Sequence, residues 1–393
     1  MKILVICQHY YPEPFRISDI CEALAERGND VTVVTGTPNY PMGVVYEGYE
    51  NGKLADEVIG GVKIHRCKTA PRKTGAVNRV INYFSFAIAS SRYINKLPSD
   101  FDVVFVNQLS PVMMAEAGVR YKRKFGTKLV LYCLDLWPDS LCTGGIKKDS
   151  LIYNIFKRIS KRIYRAADKI LITSKSFADY FSEKFGIDNT EYLPQYAENF
   201  FKPELCRKAP NGTVDLMFAG NVGAAQGIDT IIRAAALTED IPNLRWHIVG
   251  DGSELDNCKR LADELSVASV IFHGRQAADK MPEFYSKADI MLVTMIDDPT
   301  ISLTLPGKVQ TYMAAGKPIL AAAIGEIEKV LKDAECGICC PPNDGEALAK
   351  AAKEIAESGK LNEYGLNAYN YNKNNFSKEK FFDKLENELE LLR

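Results

Sequence analysis

Short apolar runs alternate with helical patterns along the first half of the chain. The segment Ile17–Arg27 has apolar residues at helical spacing and is followed by Gly28, a residue type that commonly terminates helices. Strands that alternate with helices in this way build a parallel sheet with helices on both faces. The sequence therefore predicts an α/β domain of the doubly wound, Rossmann-like type. The runs predicted as its strands are Ile3–Cys7, Val31–Thr35, Val62–Arg66, Val103–Asn107, Leu129–Leu134 and Lys169–Thr173.

The same alternation begins again after the polar segment Lys202–Thr213, which contains proline and glycine. We predict two Rossmann-like domains, residues 1–200 and 201–372, followed by an amphipathic C-terminal helix over residues 373–393. Sheets of this type bind ligands at the carboxyl ends of their strands. The predicted strands of the second domain are Val214–Ala219, Arg245–Val249, Val270–His273, Ile290–Thr294 and Ile319–Ala322, and its helices include Ile228–Ala236, Leu255–Leu265, Met281–Lys287 and Val309–Ala314.

Composition excludes several classes of protein. The 49 Lys and Arg residues balance 50 Asp and Glu residues, which argues against binding to nucleic acid through overall positive charge. Met1 leads directly into a predicted strand, and no window approaches the roughly 18 apolar residues of a membrane span. We therefore expect a cytoplasmic protein without a secretory signal.

The cysteines and histidines predict no metal or redox site. Ten cysteines are scattered through predicted strands and helices, as expected in a reducing compartment. Cys336 and Cys339 form a CxxC pair, but no second pair accompanies them, so we interpret them as small apolar residues in a strand. The four histidines are far apart in sequence and show no ligand spacing.

A glycine-rich turn, Gly220–Gly227, joins the first strand of the second domain to a helix. Glycines let the backbone approach an anion closely, and free N–H groups at a helix N-terminus favour negative charge. The spacing matches neither the dinucleotide GxGxxG pattern nor a P-loop, so a dehydrogenase is disfavoured. An ordinary strand–helix turn is the alternative interpretation.

Later strand ends of the same domain carry further candidates for an anion site. Gly250-Asp251-Gly252 follows the second strand, and Arg275 follows the third. Pro306-Gly307-Lys308 opens the helix over Val309–Ala314 and offers backbone amides and an ammonium group. A surface turn with solvated side chains is about as plausible for each segment alone. Their convergence on one sheet edge favours a phosphate site.

In the first domain, the loop after the first strand contains no glycine, and its two prolines hold aromatic and charged side chains rigidly. This loop suits a second substrate better than a pyrophosphate. Asp135 and Asp139, which flank Trp137, are candidates for a catalytic base, with helix capping as the alternative. The residues assigned to acceptor binding are Tyr11, Glu13, Phe15, Arg16, Asn39, Tyr40 and Asn107.

The segment 147–165 predicts a basic amphipathic helix. Its apolar face contains Ile152, Ile155, Phe156, Ile159 and Ile163, and its other faces carry several Lys and Arg residues. Such a helix can lie on an anionic bilayer, although packing against the core is the alternative. Arg72, Lys73 and Arg79, near the apolar run Val80–Ile88, add weight to the membrane interpretation.

With these residues in view, the chain resembles the retaining glycosyltransferase family 4, which has the GT-B fold. Within it, the chain is most similar to bacterial capsule, O-antigen and colanic-acid glycosyltransferases of the WbuB/WcaI type. The motifs that carry the resemblance span nearly the whole chain. They are Tyr10-Tyr-Pro-Glu-Pro-Phe-Arg16, Pro38-Asn-Tyr-Pro-Met-Gly43, Asp135-Leu-Trp-Pro-Asp-Ser140, Phe218-Ala-Gly-Asn-Val-Gly223, Val249-Gly-Asp-Gly252 and Pro306-Gly-Lys308 with Tyr312-Met-Ala-Ala-Gly-Lys-Pro318.

The resemblance implies a UDP-sugar donor on the second domain and an acceptor on the first, carried by undecaprenyl diphosphate. It implies transfer without a metal ion or other cofactor, and a final helix that crosses back to the first domain. Such an enzyme would be peripheral at the inner face of the membrane. The residues assigned to the donor are Gly220, Asn221, Gln226, Gly227, Gly250, Asp251, Gly252, Arg275, Leu305, Pro306, Gly307, Lys308 and Thr311, with Lys308, Asp135 and Asp139 as catalytic candidates.

The chain departs from the family pattern at three places. Leu303 and Thr311 stand where many members have two glutamates, and Gln226 stands where a basic residue is common. Leu134 replaces the usual histidine, beside Asp135. We therefore expect Lys308 to supply the positive charge, with the glycine turn binding through backbone amides. A UDP-sugar epimerase and a non-catalytic nucleotide-sugar-binding subunit are the alternative functions.

Overall fold

The computed structural model describes residues 1–72, 75–143 and 145–393. The chain forms two compact units. The first contains residues 1–173, 177–193 and 382–393, and the second contains residues 174–176 and 194–381. The main boundary therefore lies between Leu193 and Pro194, and the last twelve residues belong to the first unit.

The first unit contains an eight-stranded sheet with the order β3-β4-β2-β1-β5-β6-β7-β8. All neighbouring strands are parallel except β3 and β4. The central strands are apolar on both faces because helices cover both sides of a parallel sheet. The strands are β1 (Lys2–Ile6), β2 (Asp30–Gly36), β3 (Asp56–Ile59), β4 (Val62–Cys67), β5 (Val103–Gln108), β6 (Lys128–Cys133), β7 (Lys169–Ile172) and β8 (Thr190–Tyr192).

The edge hairpin of β3 and β4 was not predicted, because β3 is too short and too polar to give a clear apolar pattern. Gly60 and Gly61 form its two-residue turn, with φ of +55° and +78°. Two consecutive positive φ angles are typical of a type I′ hairpin turn, which glycine adopts readily. The Gly-Gly pair is therefore the sequence signal for this hairpin.

The helices of the first unit follow the predicted alternation. Gly118 lies where a helix packs closely on the sheet: a Cβ at this position would be 2.8 Å from Val106 Cγ2 and 3.1 Å from Leu129 Cδ1. The helices are α1 (Ile17–Glu26), α2 (Ala76–Tyr93), α3 (Glu116–Phe125), α4 (Ser140–Thr143), α5 (Leu151–Ala166) and α6 (Phe177–Phe185).

Helix α5 corresponds to the predicted basic amphipathic helix but begins at Leu151, because Ser150 caps it by accepting a hydrogen bond from the Tyr153 amide. The predicted apolar face does not form one buried stripe. Ile163 is fully buried, whereas Ile152 and Ile155 are about half exposed. The buried face of α5 is completed instead by Tyr153, Ser160 and Tyr164.

The second unit contains a fully parallel six-stranded sheet with the order β11-β10-β9-β12-β13-β14. Of the CxxC pair, Cys339 lies in the last strand, as predicted, whereas the buried Cys336 directly precedes that strand, and all ten cysteines are free thiols. The strands are β9 (Val214–Ala219), β10 (Leu244–Val249), β11 (Val270–Gly274), β12 (Ile290–Thr294), β13 (Ile319–Ala322) and β14 (Gly337–Cys340).

The chain ends in two helices rather than the single one predicted over residues 373–393. The first ends at Asn375, and Ser377 begins the next by accepting a hydrogen bond from the Lys380 amide. The helices that follow those of the first unit are α7 (Pro203–Cys206), α8 (Ile228–Ala236), α9 (Leu255–Glu264), α10 (Met281–Tyr285), α11 (Gly307–Ala314), α12 (Glu326–Ala334), α13 (Gly345–Glu357), α14 (Leu361–Asn375) and α15 (Lys378–Glu390).

Most of α15 belongs to the first unit, where it packs against the C-terminal end of α1. Arg27 pairs with Asp383 and, at 2.6 Å, with Glu386. Leu385 and Leu389 are fully buried. In the described ranges, no helix combines the length and apolar character that a membrane span requires.

The hydroxyl of Tyr312 fastens α11 to the end of β9. Strand β12 pairs with β9 only as far as Phe218, so the next residue has no partner on that side. The Tyr312 hydroxyl accepts a hydrogen bond from the Ala219 amide and donates one to the Ala219 carbonyl, both at 3.0 Å. Tyr312 thereby satisfies two buried backbone groups and fixes the residue that precedes Gly220.

We expect Tyr312→Phe to lower the free energy of unfolding of the second unit by about 1–3 kcal/mol, because it leaves two buried backbone groups without a partner. Urea denaturation followed by Trp246 fluorescence in a Trp137→Phe background measures this unit. The matched control is Tyr369→Phe, on the exposed face of α14, which should leave the transition unchanged. Equal transitions for the two variants would show that the hydroxyl does not stabilise the junction.

Candidate active site

The donor residues predicted from sequence follow successive strands of the second sheet. Gly220 follows β9, Gly250 follows β10, and Arg275 follows β11. Since the strands are parallel, their carboxyl ends meet at one edge of the sheet. We call this edge, with the N-terminus of α11, the donor edge.

Two glycine turns at the donor edge are in direct backbone contact. Gly220 N–H donates to Val249 O and Val222 N–H donates to Asp251 O, both at 2.9 Å. A Cβ on Gly250 would lie 1.8 Å from Gly220 O, and one on Gly252 would lie 2.3 Å from Val222 O. Only glycine therefore permits this approach, which is the reason for the Gly-Asp-Gly pattern.

The second half of the Gly220–Gly227 turn is fixed by hydrogen bonds to β12 and α11. Gly227 adopts the left-handed conformation, with φ of +56°, at the start of α8. The Gln226 carbonyl accepts a hydrogen bond from the Thr294 hydroxyl at 2.6 Å. The Gln226 side-chain Oε1 accepts one from Lys308 Nζ at 2.5 Å. Gln226 therefore positions the cation instead of supplying one. Asn221 is exposed in the first half of the turn.

Lys308 lies in the first turn of α11, with its ammonium group beside the glycine turn. Nζ is 3.8 Å from the centroid of the Phe218 ring, and a Cβ on Gly220 would be only 3.2 Å from it. Burial lowers the pKa of Lys308 to about 7. The described residues place no carboxylate against this ammonium. The site thus holds a cation that lacks an anion, which is the arrangement expected of a phosphate-binding group.

The N-terminus of α11 adds backbone donors beside Lys308. Pro306 precedes the first helical residue, Gly307, whose amide belongs to the unpaired first turn. Leu305 is buried below the turn. Thr311 is also buried, and its hydroxyl donates to the Lys308 carbonyl at 2.9 Å. The structure therefore gives Thr311 a role within the helix and gives Leu305 a packing role.

Asp251 and Arg275 lie further along the donor edge. The Asp251 carboxylate accepts a hydrogen bond from the Gly252 amide at 2.7 Å, so it supports its own turn. Arg275 is exposed just after the edge strand β11, and no hydrogen bond or ion pair of its guanidinium occurs in the described part of the chain. Two strand spacings, about 10 Å, separate β11 from β9. A ligand bound at the Gly220–Gly227 turn after β9 can therefore contact Arg275 only if it is extended.

In the first unit, several predicted acceptor residues converge on Glu13, whose carboxylate is almost fully buried. Its Oε1 accepts hydrogen bonds from the Asn39 amide at 2.9 Å and the Tyr40 amide at 2.7 Å. Its Oε2 lies 3.0 Å from Nδ1 of His9. Glu13 therefore joins the loop after β1 to the loop after β2, and we call these residues, with Phe15, the Glu13 cluster.

Aromatic rings complete the Glu13 cluster. The His9 ring stacks on Phe15 with centroids 4.7 Å apart and contacts the edge of Tyr40 at 5.6 Å. The Arg72 guanidinium lies 5.6 Å from the Tyr40 ring, and the Arg72 amide donates to Asn39 Oδ1 at 2.7 Å. From the sequence we considered His9 only as a metal ligand and did not predict its contact with Glu13. The missed signal was a glutamate four residues after a histidine in a loop that follows a strand.

The other acceptor candidates lie near the same sheet edge but outside the Glu13 cluster. Tyr11 is half exposed, and its amide donates to the Ser18 hydroxyl at 2.9 Å. Arg16 directly precedes α1, and Asn107 is buried near the end of β5. Lys73 and the side chain of Arg79 lie outside the described residues.

Asp135 and Asp139 have different environments. Asp135 is partly exposed after β6 and accepts hydrogen bonds from the hydroxyls of Ser110 and Ser140. Asp139 is buried, where Tyr153 donates to it at 2.9 Å, and Tyr180 and Lys184 also donate.

Burial tends to raise the pKa of Asp139, but the donors from Lys184 and Tyr180 outweigh it and lower that pKa. A carboxylate held in this way is a weak base, so the geometry favours Asp135 over Asp139 for any catalytic role. The predicted role of either residue stays a prediction.

These two units, each with a doubly wound sheet, define the class of protein. Two solved structures share the fold over the full length of both chains. Sucrose-phosphate synthase from Thermosynechococcus elongatus superposes with a TM-score of 0.77 at 18% identity, and HepE from Anabaena, in complex with UDP, with 0.75 at 15%. The fold is that of the GT-B glycosyltransferases, which confirms the predicted fold class.

Sequence comparison gives the family. Residues 15–194 match the glycosyl transferase 4-like domain, and residues 207–371 match glycosyl transferases group 1. The chain therefore belongs to this glycosyltransferase family and is an enzyme of that class, as the motifs predicted.

Two relatives cover most of the chain. The probable glycosyltransferase WbjE of Pseudomonas aeruginosa is 29% identical over 65% of this chain and 66% of its own. The putative colanic acid biosynthesis glycosyl transferase WcaI of Escherichia coli K12 is 24% identical over 92% of this chain and 94% of its own.

The state of Lys308 predicts that donor binding is coupled to proton uptake. Since burial holds its pKa at about 7 in the free protein, Lys308 is mostly neutral at pH 8.5 and mostly charged at pH 5.5. A bound diphosphate favours the charged form and raises the pKa. Affinity should therefore fall by up to about tenfold per pH unit above pH 7.

Proton uptake on binding is measured by calorimetry in buffers of different ionisation enthalpy. The ligand is UDP-N-acetylglucosamine, whose diphosphate does not titrate in this range. We expect uptake of close to one proton at pH 8.5 and none at pH 5.5, and no uptake in Lys308→Met. Lys332→Met, on the exposed end of α12, is the control that should behave as wild type. Equal uptake in wild type and Lys308→Met would assign the proton to another group.

Proposed function

We propose that this glycosyltransferase moves a sugar from a UDP-sugar to a saccharide carried on undecaprenyl diphosphate, in the synthesis of a bacterial surface polysaccharide. The observation that carries the donor part is the ammonium of Lys308, which has no carboxylate against it in the described part of the chain and lies beside two touching glycine turns. HepE, which has the same fold, was solved with UDP and with UDP-glucose. The relative WcaI, named for colanic acid biosynthesis, supports the polysaccharide part.

The donor diphosphate is proposed to lie against the Gly220–Gly227 turn, where backbone amides and Lys308 face its negative charge. When the bond between the anomeric carbon and the diphosphate breaks, charge develops on the departing oxygen. A donor that is already in place stabilises this charge without reorganisation, and its loss costs on the order of 10²–10³ in rate. We propose attack by the acceptor hydroxyl on the same face, with retention of configuration.

We propose that transfer requires no metal ion, because Lys308 and the first turn of α11 stand where charge develops. The described residues include no group of three His, Cys, Asp or Glu side chains that could hold a metal. Activity that survives EDTA supports this proposal, and activity restored only by a divalent cation contradicts it.

The acceptor is proposed to bind at the Glu13 cluster, and the sugar transferred is proposed to be an N-acetylated hexosamine or a deoxyhexosamine. Aromatic faces such as Phe15 and Tyr40 suit the apolar faces of sugar rings, while buried polar groups select hydroxyls. Both side chains are partly exposed, which leaves them accessible to a ligand.

Attachment to an anionic membrane surface is proposed for the first unit, so that the enzyme is peripheral at the inner face of the cell membrane. The start of α5 exposes Leu151, Ile152 and Ile155, by 78%, 50% and 47% respectively. Exposed basic residues, including Arg158 and Lys161, follow on the same helix. The apolar side chains Val80, Ile81, Phe84 and Ile88 of α2 are also exposed.

The donor class is tested by a panel of UDP- and GDP-sugars, first for thermal stabilisation and then for transfer to a synthetic undecaprenyl-diphosphate N-acetylglucosamine. We expect stronger stabilisation by a UDP-sugar, and elongation of the lipid-linked sugar. Lys308→Ala should lower turnover by on the order of 10²–10³ at pH 7. Lys332→Ala, which removes a lysine far along α12, should keep wild-type turnover.

Each alternative outcome has a distinct meaning. Stronger stabilisation by GDP-sugars contradicts the donor assignment. Turnover of the UDP-sugar without an acceptor indicates an epimerase, and binding without any transfer indicates a regulatory subunit. Unchanged turnover in Lys308→Ala removes this residue from the mechanism.

The membrane proposal predicts co-sedimentation with vesicles of phosphatidylglycerol and phosphatidylcholine. Binding should weaken at high salt, because the exposed basic side chains act through screened charge. Ile152→Ser with Ile155→Ser should reduce binding several-fold, since two half-exposed apolar side chains are lost. Leu366→Ser, on the second unit and 60% exposed, is the control. Equal binding by the double variant and the control would contradict a role for α5.

A further inference from the structure

His9 and Glu13 form a buried hydrogen-bonded pair that the donor chemistry does not use. The side chain of Glu13 is 1% exposed and that of His9 is 8% exposed, and Nδ1 lies 3.0 Å from the carboxylate. We propose that His9 is the group that accepts the proton of the attacking acceptor hydroxyl, and that Glu13 orients it. This proposal rests on the proposed function.

The hydrogen bonds around Glu13 fix the tautomer of His9. Oε1 of Glu13 already accepts hydrogen bonds from two backbone amides, those of Asn39 and Tyr40, so the carboxylate acts there as an acceptor. A carboxylate only accepts hydrogen bonds, so Nδ1 of His9 must carry the proton and donate it to Oε2. Nε2 is then the basic nitrogen with a free lone pair.

Nε2 of His9 has no hydrogen-bond partner among the residues that the structure describes. The ring is also held in place: Phe15 stacks on it and the Tyr40 edge packs against it. A histidine with one nitrogen bonded to a carboxylate and the other unoccupied has the arrangement of a general base.

The acceptor oxygen forms a bond to the anomeric carbon while the bond from that carbon to the diphosphate breaks, and the hydroxyl proton moves to Nε2 of His9. The imidazolium that results is paired with the Glu13 carboxylate. It later loses the proton to water. The competing proton acceptor is the departing phosphate oxygen, and the experiment must separate the two.

Three variants separate a base from a packing residue. His9→Gln removes the basic nitrogen and should lower kcat by on the order of 10²–10⁴. Glu13→Gln retains an oxygen for the Asn39 and Tyr40 amides but presents an NH₂ to His9. It should therefore move the His9 proton to Nε2 and lower kcat by about 10²-fold or more. His65→Gln, which alters a surface His–Asp56 pair, is the matched control.

The pH profile of kcat, measured at saturating donor, gives the readout that a structural role would not change. Protonation of His9 removes the lone pair, so wild-type kcat should fall on the acid side, and this limb should be absent in His9→Gln. In the described part of the chain, the charged group bonded to the ring is Glu13, in the same loop, and Arg72 lies on the neighbouring Tyr40 ring. Added imidazole should restore part of the activity of His9→Ala.

A measurement without substrate tests the tautomer itself. In ¹⁵N-histidine-labelled protein, long-range ¹H–¹⁵N spectra should show an unprotonated Nε2 for His9 in wild type and a protonated Nε2 in Glu13→Gln, with His9→Gln giving the assignment. If the wild type is active, and His9→Gln and Glu13→Gln keep its kcat and the acid limb of its pH profile, the proposed role of His9 is overturned. The proposed function is then unaffected. A wild type that transfers no sugar from any UDP-sugar overturns the proposed function instead.

Discussion

The close contact of two glycine turns at the donor edge is the constraint on which the second unit's chemistry depends. Gly220 and Gly250 bring two backbones together at a distance that any side chain would prevent. The Tyr312 hydroxyl holds the end of β9 against α11, and this places Lys308 beside the first turn. The ammonium is thereby removed from water without gaining a carboxylate. Its lowered pKa is a consequence of that packing.

A different interaction organises the first unit. The buried Glu13 carboxylate joins the loops after β1 and β2. In the first unit one side chain thus holds two neighbouring loops together, whereas in the second unit direct contact between glycine backbones does so. A rigid carboxylate suits the recognition of hydroxyl groups, whereas free amides and an ammonium suit a diphosphate. The two units share an architecture and differ in the chemistry at their sheet edges. Function in this class of enzyme therefore lies in the loops rather than in the fold.

The departures from the family pattern acquire a physical meaning at Gln226. A cation at this position would place two positive charges within hydrogen-bond distance. The amide instead accepts a hydrogen bond from Lys308 and leaves one ammonium to face the ligand. Thr311 donates to the Lys308 carbonyl, so its buried hydroxyl is satisfied within α11. The replacement at Gln226 leaves Lys308 as the cation beside the glycine turn.

The sequence by itself determined the parallel sheets, because apolar strands that alternate with amphipathic helices have few other ways to bury their surfaces. It also singled out the glycine turns, which directly follow predicted strands, and Lys308, which lies at the entrance of a predicted helix. It missed the β3–β4 hairpin, which is short and polar, and it joined α14 and α15 into one helix across the Ser377 cap.

Only the tertiary structure decided which side chains meet. It separated Asp135 from the buried Asp139, divided the apolar face of α5 into core and exposed residues, and brought His9 to Glu13. These outcomes depend on loop conformation and on partners distant in sequence, such as Tyr180 and Lys184 for Asp139. Hydrophobic periodicity carries no information about loop conformation or about partners that are distant in sequence. It specifies which face of an element is buried and not which polar groups come together there.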